Sequence, residues 1–379
     1  MSRLQRCIGI LGEGQLARMS AFAAYRLGFD VAVVTADQHS PAGQLTHHAF
    51  IGSVEDDDLL RTFSDVCHVI TLENEFVDYH RLALLEKLGA TVYPSSKTIA
   101  LIQDKLQQKN ALRKKGIPVA DFLEVKTASN LLTIIRKLGI PFVLKSRKMG
   151  YDGYGNASVT NKLEFDDAYE ALTSRHQHLM AETFIDFQME LAVMVARTAK
   201  EIKIYPVVQT IQQGHICHTV IAPAQIDKRI IDDAQEIAIE SVKAVHGFGL
   251  FGVELFLTKK NKLLVNEMAP RPHNSGHYTI EACVTSQFEN HIRAVMDLPL
   301  GATDMIKPFA VMVNLLGSKK PSTGMKNYSA PLKYQDAHVH IYGKHESRVG
   351  RKMGHVTLIG DQLQPLLKQA RQIDAKIAL

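Results

Sequence analysis

The stretch LFGVELFLTKKNKLLVNEMAPRPHNSGH, residues 250–277, contains the strongest structural signal in the chain. An apolar run, Gly252–Thr258, is followed by the polar residues 259–262 and a second apolar run, Leu263–Ala269. Two apolar runs joined by a short polar loop are typical of a β-hairpin. We therefore expect two antiparallel strands here, with a Pro-containing loop directly after the second strand.

Two glutamates face each other in this predicted hairpin. A turn centred between Lys260 and Asn261 places Glu254 directly opposite Glu267. Opposed side chains have Cβ atoms about 4.5–5.5 Å apart, and two like charges at that distance need a cation or a shared proton. Mg²⁺ takes oxygen ligands and keeps coordination positions open for phosphates. The pair predicts a metal site, and two solvated glutamates on an exposed sheet face are the alternative interpretation.

Three polar residues follow the second strand within one short loop, namely Arg271, His273 and Asn274. A guanidinium binds oxyanions in a forked geometry, and an imidazole can carry a proton near neutral pH. A metal pair, an anion binder and a proton carrier therefore lie within one segment. This combination favours a catalytic site at the end of the hairpin.

The bulk composition excludes several classes of protein. The 379 residues are too many for one ordinary core, so we expect two or three domains. The net charge of +5 is spread along the chain and there is no tryptophan, which disfavours a nucleic-acid binder. The four cysteines form no C-x-x-C pair, so neither a zinc site nor a disulfide framework is predicted.

No segment of the sequence predicts export or membrane insertion. The apolar run near the N-terminus, Cys7–Leu11, is too short for the core of a signal peptide. No stretch approaches the roughly 20 apolar residues of a membrane span. We therefore expect a cytoplasmic protein with no membrane partner.

The first segment predicts a Rossmann-like βαβ unit. A strand at Cys7–Leu11 leads through GEGQLARM, residues 12–19, into a helical pattern. Gly12, Gly14 and Ala17 fit the G-x-G-x-x-G/A pattern, in which backbone N–H groups at a helix N-terminus can bind an anion. The turn therefore predicts the fold of this unit more strongly than it predicts a particular ligand.

Two acids, Glu73 and Glu75, follow the next predicted strand, Val66–Leu72. Ligands of open α/β sheets bind outside the carboxyl ends of the strands. Each acid is a candidate ligand contact, and a solvated loop acid is an equally weighted alternative.

The middle of the chain carries features of a nucleotide site. A basic helix is predicted at Asp104–Lys115, and the strand Pro141–Ser146 carries Lys145 between apolar neighbours. A lysine in a buried strand needs an anionic partner or water, and we prefer a phosphate. The glycine-rich loop KMGYDGYGN, residues 148–156, can approach and close over phosphates. The strand at Met180–Ile185 ends near acids that suit an adenine edge and ribose hydroxyls.

The last part of the chain predicts a small module rich in strands. Helical patterns at Asp232–His246 and Glu281–Met296 flank the hairpin. Clustered basic residues near the C-terminus suit a phosphate monoester, and a basic surface turn is the alternative. These residues are Lys344, Arg348, Arg351 and Lys352. Strand patterns surround them at Ala310–Leu315, Ala337–Tyr342 and His355–Ile359, before a final amphipathic helix.

Four motifs in this order resemble the ATP-grasp superfamily and, within it, the N5-carboxyaminoimidazole ribonucleotide synthetases of purine biosynthesis. They are GEGQLARM at Gly12–Met19, MGYDGYGN at Met149–Asn156, NEMAPRPHNSGHYTIEAC at Asn266–Cys283 and GRKMGHV at Gly350–Val356. The third motif is highly specific, and the resemblance covers almost the whole chain. It implies a mixed α/β and α+β fold with three parts: a Rossmann-like domain at 1–103, an ATP-grasp domain at 104–300 and a small C-terminal β-rich module at 301–379.

The resemblance implies a carbon–nitrogen ligase driven by ATP. Bicarbonate would attack the γ-phosphorus of ATP and give carboxyphosphate. The carboxyl group would pass to the amine of 5-aminoimidazole ribonucleotide, either directly or as CO₂, with ADP and phosphate as by-products. Mg²⁺, or Mn²⁺ in its place, would be the metal cofactor, and a cytoplasmic homodimer is the expected assembly.

The resemblance also implies roles for residues at matching positions. Glu254 and Glu267 would bind the metal, while Arg271, His273 and Asn274 would act on bicarbonate and carboxyphosphate. The ribonucleotide would contact Gln15, Glu73 or Glu75, Tyr151, Asp152, Lys344 and Arg351. ATP would be held by Lys105, Lys145, Gly150, Tyr151, Asp152, Gly153, Tyr154, Gly155, Asn156, Glu182, Thr183, Phe184, Ile185, Glu190, Gln212, Asn266 and Glu267.

Four features depart from the family pattern. Tyr154 stands where the loop over the phosphates usually has Lys or Arg, and Glu13 replaces a usual glycine. Gln212 lies near a position where histidine is common. The run Glu73-Asn74-Glu75-Phe76-Val77 exchanges Asn and Phe, so the acid that faces the ligand stays open.

Two other functions remain as alternatives. A formate-dependent ribonucleotide formyltransferase of the same superfamily would share the hairpin acids. A nucleotide-binding sensor without turnover would explain the departures at Glu13 and Tyr154. A biotin carboxylase fits the length and the glycine-rich loop less well.

Overall fold

A parallel sheet forms the N-terminal part of the chain, as the βαβ pattern predicts. The computed structural model describes residues 6–150, 155–175, 178–317, 329 and 331–377. The first sheet is built from β1 (Cys7–Leu11), β2 (Asp30–Thr35), β3 (His48–Ile51) and β4 (Val69–Leu72), in the spatial order β3-β2-β1-β4. Its helices are α1 (Gln15–Arg26), α2 (Asp57–Val66), α3 (Tyr79–Lys87) and α4 (Ser96–Ile102).

A small antiparallel sheet follows. After α5 (Lys105–Lys114), the strands are β5 (Phe122–Val125), β6 (Phe142–Ser146), β7 (Asn156–Val159) and β8 (Leu179–Thr183), in the order β5-β8-β6-β7. Apolar side chains of α6 (Leu131–Leu138) and α7 (Lys162–Thr173) pack against this sheet.

The other strands of the described residues join one antiparallel sheet. They are β9 (Phe187–Arg197), β10 (Ile202–Ile204), β11 (Val208–Gln213), β12 (Ile216–Ala222), β13 (Gly249–Thr258), β14 (Leu263–Ala269), β15 (Phe309–Leu316), β16 (Ala337–Ile341) and β17 (Lys352–Gly360). Their order is β14-β13-β9-β11-β12-β15-β17-β16, with β10 beside β9. Because β15 pairs with β12, the strands of the C-terminal module continue the central sheet. The division of the chain into three domains at residues 103 and 300 stays a prediction.

Helix α10 (Gln287–Val295) joins the first sheet to the hairpin. Its residues Phe288 and Ile292 pack in one apolar cluster with Leu16 of α1. His291 lies between Thr71 Oγ1, 3.0 Å from its Nε2, and the N–H of Leu250, which donates to its Nδ1 at 3.4 Å. The carboxyl ends of β1 and β4 are therefore held close to the start of β13.

The predicted hairpin is confirmed, and Glu254 lies opposite Glu267. The uniform register that led to this pairing is wrong, because Leu255 pairs with Val265 and the turn is centred on Lys260. A bulge between these two pairs restores the opposition of the glutamates. Bulges re-aim side chains and are common beside active sites.

The helix predicted at Glu281–Met296 is wrong as one element. It is split into α9 (Thr279–Ala282) and α10, because Cys283 forms a β-bridge with Met305. The hydroxyl of Ser286 then accepts the N–H of Glu289 at 3.1 Å and starts a new helix.

Two further helices complete the described residues. α8 (Lys228–Ala244) begins one turn earlier than predicted, and α11 (Leu363–Asp374) packs its apolar side chains on β15 and β17. Within the described ranges, no helix combines the length and the apolar character that crossing a membrane requires.

Asp104 starts α5 and also pairs with a partly buried arginine. Its carboxylate accepts the N–H groups of Leu106 at 2.9 Å and Gln107 at 3.3 Å. The guanidinium of Arg147 donates to the same carboxylate, from Nε at 3.1 Å and from Nη2 at 2.5 Å. This cap fixes the helix that carries Lys105 into the site.

We expect Asp104→Ala to lower the free energy of unfolding by about 2 kcal/mol or more. Losing the cap costs about 1 kcal/mol, and the partly buried guanidinium of Arg147 also loses one of its two carboxylate partners and keeps only Glu124. Asp56→Ala is the matched control, because Asp56 caps α2 through the N–H groups of Asp58 and Leu59 at an exposed position. We expect about 1 kcal/mol there by chemical denaturation, and equal losses in the two variants would contradict this account.

Candidate active site

The opposed glutamates of the hairpin dominate the electrostatics of the site. Burial and the negative charge of Glu267 raise the pKa of Glu254 to about 8. Burial also disfavours the charged form of Glu267, but the ammonium of Lys105 contacts that carboxylate and lowers its pKa to about 2. A carboxylate pair in which one member keeps its proton at neutral pH fits a divalent cation, which favours the charged form of both.

A cleft of about 490 Å³ opens beside this pair. The end of the hairpin, the loop after it and the start of α5 all contribute to its wall. The structure brings seven predicted site residues together here: Glu75, Lys105, Gly150, Glu254, Glu267, Arg271 and His273.

Arg271 is held in place by Glu75. Its Nε and Nη2 donate to the two oxygens of that carboxylate at 2.7 and 3.2 Å. Charge-assisted forked bonds of this kind fix the plane of a guanidinium. Both polar side-chain atoms of the neighbouring Asn274 are buried and make no hydrogen bond among the described residues, so they are available to a ligand.

His273 is a neutral imidazole in this structure. Burial, followed by the positive charges of Arg271 and Lys352, lowers its pKa to about 3. Its Nδ1 lies 2.8 Å from Ser275 Oγ, and its Nε2 lies 3.3 Å from Glu254 Oε1. The ring is therefore oriented from both sides and can exchange hydrogen bonds with a bound oxyanion.

A second cavity, of about 350 Å³, combines apolar walls with a charged end. It is lined by Val143, Lys145, Glu182, Thr183, Phe184, Ile185, Phe187 and Phe256. Burial raises the pKa of Glu182, but Lys145 at 2.6 Å and Lys109 at 2.5 Å outweigh it and lower the pKa to about 2. An apolar slot with a few fixed polar groups suits a flat heterocycle such as a purine.

Glu190 and Gln212 lie on the adjacent strands β9 and β11, and their side chains hydrogen-bond to each other. Burial raises the pKa of Glu190 despite that bond. Glu190 pairs across the sheet with Phe256, which lines the second cavity. Gln212, which lies near a position where the family commonly has histidine, thus hydrogen-bonds Glu190, a predicted ATP contact.

Glu73 is bound by the glycine-rich turn of its own chain. Its Oε2 accepts the N–H of Gly14 at 2.6 Å, and its Oε1 accepts the N–H of Leu16 at 3.1 Å. A Cβ on Gly12 or Gly14 would lie 2.4 Å from an atom of Glu73, so these glycines permit the approach of its side chain. Burial raises the pKa of Glu73 even though these N–H groups oppose the rise. The group bound at this helix N-terminus is therefore an internal carboxyl, next to Gln15.

The unusual Glu13 has a structural role. Its Oε2 accepts the hydroxyl of Thr35 at 2.5 Å and the N–H of Ala36 at 2.7 Å. These bonds fix the chain at the end of β2.

The glycine-rich loop is described only at its ends. Gly150 lines the cleft, the carbonyl of Gly155 accepts the N–H of Ser146 at 2.7 Å, and Asn156 begins β7. The predicted roles of the residues between them stay predictions, because Tyr151, Asp152, Gly153 and Tyr154 lie outside the described residues.

Lys344 lies where the C-terminal module meets the first sheet. Its Nζ donates to the carbonyl of Lys352 at 2.7 Å. A Cβ on the preceding Gly343 would lie 3.0 Å from Gln44 Nε2 and 3.6 Å from Arg18 Nη1. Arg18 and the amide of Gln44 thus lie beside Gly343, one residue from Lys344, and donors of this kind suit a phosphate.

Arg351 and Lys352 are adjacent in sequence but have different surroundings. Arg351 donates to the carbonyl of Glu346 at 2.7 Å within its own loop, so the structure does not bring it to the cleft. The charge of Lys352 partly opposes the rise in the pKa of Glu254 and contributes to the low pKa of His273. Lys352 is therefore a site residue that the sequence placed only in a general basic cluster.

Two polar residues of α5 were missed by the sequence interpretation. Lys109 is buried, and its Nζ donates to the carbonyl of Asn266 at 3.0 Å. Gln108 bonds both the N–H and the carbonyl of Met268, at 3.0 and 3.2 Å. The four-residue spacing between Lys105 and Lys109 puts both on one helix face, and this was the available signal.

Comparison with known proteins places this geometry in a family. Three family models match: the ribonucleotide synthetase preATP-grasp domain at residues 5–103, the ATP-grasp domain at 110–288 and the phosphoribosylaminoimidazole carboxylase C-terminal domain at 310–369. The N5-carboxyaminoimidazole ribonucleotide synthase of Synechococcus elongatus is 42% identical over 353 residues, which cover 93% of this chain and 89% of that protein. The chain belongs to the N5-carboxyaminoimidazole ribonucleotide synthase family.

Members of this family also include longer proteins and solved structures. The phosphoribosylaminoimidazole carboxylase of Ogataea methanolica is 42% identical over 376 residues, covering 97% of this chain and 69% of that protein. The chain thus spans about two thirds of the length of the fungal and plant carboxylases that it matches. The N5-carboxyaminoimidazole synthase of Aspergillus clavatus, solved with ADP and 5-aminoimidazole ribonucleotide, has a TM-score of 0.90 and 38% identity, covering 97% of this chain and 98% of that one. The predicted ATP-grasp fold is confirmed.

The raised pKa of Glu254 makes stability depend on pH. In the unfolded chain this carboxyl loses its proton near its ordinary pKa of 4.5, whereas in the folded chain it keeps the proton up to about 8. The folded state therefore binds more protons between these values, and its stability falls as pH rises through that window.

We expect Glu254→Gln to raise the Tm at pH 8 by roughly 2–4 °C in the absence of divalent cations, and to change it little at pH 4.5. The amide of the introduced glutamine cannot ionise, so the variant keeps the stability that the wild type loses as pH rises. Thermal unfolding in a chelating buffer measures this, with Glu170→Gln at an exposed position of α7 as the control. A gain of the same size at both pH values would contradict the assignment.

Proposed function

We propose that this chain carboxylates 5-aminoimidazole ribonucleotide with bicarbonate and ATP, giving the N5-carboxy ribonucleotide, ADP and phosphate. The observation that supports this proposal most strongly is that one cleft contains two sets of groups. Its wall includes Glu254, Glu267 and Lys105, and next to them it includes Arg271 and His273. Cations that stabilise a phosphoryl group there adjoin groups that bind a small oxyanion. The matching relatives are named for a reaction of purine biosynthesis that requires both a site for phosphoryl transfer and a site for a small oxyanion.

The second cavity is proposed as the adenine site. Its apolar walls would hold the base, and Glu182 with residues 183–185 would supply polar contacts. Lys145 lies within 3.5 Å of Asn266 Oδ1 and pairs with Glu182, so it connects this cavity to the metal hairpin. A nucleotide lying across both sites would extend its phosphates toward Lys105.

Glu254 and Glu267 are proposed to hold Mg²⁺ in the working enzyme. Their oxygens and their mutual repulsion fit a hard divalent cation, as their pKa values indicate. Bound Mg²⁺ would offset the charge that develops on the transferred phosphoryl group. Lys105 contacts Glu267 and helps to hold it in position.

Bicarbonate is proposed to bind between Arg271, His273 and Asn274. The guanidinium would balance its charge, and the neutral imidazole and the unsatisfied amide would orient its oxygens. An oxygen of bicarbonate then attacks the γ-phosphorus, and ADP leaves. In the carboxyphosphate formed, the bond between carbon and the bridging oxygen breaks as the carboxyl group passes to the amine, which loses a proton.

The ribonucleotide is proposed to lie between the carboxyl ends of β1 and β4 and the junction at Lys344. Gln15 begins α1 and Glu73 follows β4 at that edge of the sheet, where Glu75 holds Arg271. Lys344 and Arg351 would hold the 5′-phosphate, the latter after its loop rearranges. A homodimer and a cytoplasmic location stay predictions.

The assay is phosphate release from Mg-ATP with and without the ribonucleotide, at controlled bicarbonate. We expect release to need the ribonucleotide and the carboxylated yield to follow bicarbonate. Glu267→Gln should reduce turnover by at least about 100-fold, because the metal pair is lost, while Glu170→Gln keeps full activity. ATP binding without stimulated release would support the sensor alternative, and equal activity with formate would support the formyltransferase.

Lys109→Met tests the buried lysine beside the adenine site. We expect the KM for ATP to rise about tenfold or more, because Glu182 loses one of its two cations and the carbonyl of Asn266 loses its donor. The KM for the ribonucleotide should change less than about twofold. Lys114→Met, at an exposed position of the same helix, is the control. Parallel rises in both KM values would argue against a role confined to ATP.

A further inference from the structure

A second group of metal-ligating side chains lies outside the cleft. Glu281 of α9, His340 of β16 and His355 of β17 bring one ligand atom each to within 4.8 Å of one another. His340 Nε2 lies 2.6 Å from Glu281 Oε1, and the imidazoles of His340 and His355 stack with centroids 4.4 Å apart. The group connects α9, which follows the loop carrying Arg271 and His273, to β16 and β17 at one edge of the central sheet.

Buried polar atoms in this group lack partners. Glu281 Oε2 and His355 Nε2 make no hydrogen bond among the described residues, and His355 is fully buried. Leaving such a group unpaired in the interior is costly, so native proteins rarely do it without a bound water or ion. Both atoms belong to the same cluster and can be satisfied by one occupant.

The surroundings supply outer contacts of the kind that metal ligands have. Tyr342 Oη lies 2.8 Å from His355 Nδ1, and a proton on Nδ1 leaves the lone pair of Nε2 free. The ring of His277 lies 5.1 Å from that of His355. Its Nδ1 lies 3.0 Å from Gln287 Nε2, a donor, so its own Nε2 carries the proton and also lacks a partner. That N–H could donate to a water bound in the site.

We propose that Glu281, His340 and His355 bind one divalent transition-metal ion, with Zn²⁺ as the best match. Two imidazoles and one carboxylate are ligands that Zn²⁺ accepts, and a water completes four-coordination. The site is distinct from the hairpin pair, whose all-carboxylate ligands suit Mg²⁺. The two imidazole planes are 8° apart, so one ring must turn for both lone pairs to meet at the ion. His340 has room to do so, because its side chain is 28% exposed.

A metal here would hold the catalytic loop against the C-terminal strands. Glu281 follows the loop that carries Arg271 and His273, and β17 begins with Lys352, whose charge acts on His273. The ion would therefore fix the distance between two parts of the active site without touching substrate.

The test strips the full-length protein with a chelator and titrates it with Zn²⁺ in excess Mg²⁺, which occupies the hairpin pair. ATP is left out, and Co²⁺ serves as a spectroscopic substitute. We expect one tightly bound ion per chain and visible absorption bands of nitrogen-ligated Co²⁺. Glu281→Gln and His340→Asn should each weaken binding at least about tenfold. His340 is the more exposed ligand, so its variant tests the site even when substitution of the less exposed Glu281 prevents folding.

His218→Asn is the matched control. His218 is another buried histidine, paired with Asp374 at 3.0 Å, and it lies outside the cluster. Its loss should leave Zn²⁺ binding unchanged. Absence of stoichiometric binding in the wild type, or equal weakening in His218→Asn and His340→Asn, would overturn the proposal. Because no nucleotide or turnover is involved, either result is independent of the carboxylation assay.

Discussion

Two carboxylates held face to face on a two-stranded hairpin are the constraint on which the rest of the site depends. Neighbouring strands cannot separate Glu254 from Glu267, so their repulsion must be offset locally. Lys105 offsets the charge of Glu267, and the raised pKa of Glu254 lets that carboxyl keep its proton at neutral pH. Such an arrangement is costly as a structural feature and useful as a site that a cation completes.

Other charged side chains near the hairpin are also balanced by a local partner of opposite charge. Glu182 is buried between Lys109 and Lys145, and Arg271 is held by Glu75. Removing one partner of a buried pair leaves an uncompensated charge, which is more costly than leaving out both. The site is therefore a set of mutually dependent ion pairs carried by different elements. Their positions are fixed by α10 and by the long central sheet.

Much of the fold could be predicted from the sequence, because local sequence patterns indicate the individual helices, strands and turns. The alternation in β13 and β14 and the glycines after β1 each correspond to one local structure, and the family motifs gave their arrangement. The bulge beside Glu267 was not predicted, because one uniform register already placed the two glutamates opposite each other. Its only trace in the strand is that Asn266 and Glu267 are two successive less buried positions after Val265. The break at Cys283 also escaped prediction, because its cause is a bridge to the distant Met305.

The site was predictable in its residue types and less so in its pairings. Glu73 and Glu75 were equivalent in sequence, but one binds the backbone of Gly14 and the other binds Arg271, nearly two hundred residues away. Lys109 was not predicted as a site residue, because it belongs to a basic helix and most lysines of such helices are solvated. Long-range pairing of charges is a property of the tertiary structure, and single-residue patterns do not encode it.

The most direct test of the central claim follows the oxygen atoms of bicarbonate. The protein is incubated with unlabelled Mg-ATP, the ribonucleotide and ¹⁸O-bicarbonate, and the phosphate released is analysed by mass spectrometry. If bicarbonate attacks the γ-phosphorus at this site, each phosphate formed carries one ¹⁸O atom. Phosphate without the label would mean that another nucleophile attacks ATP, and it would contradict the account.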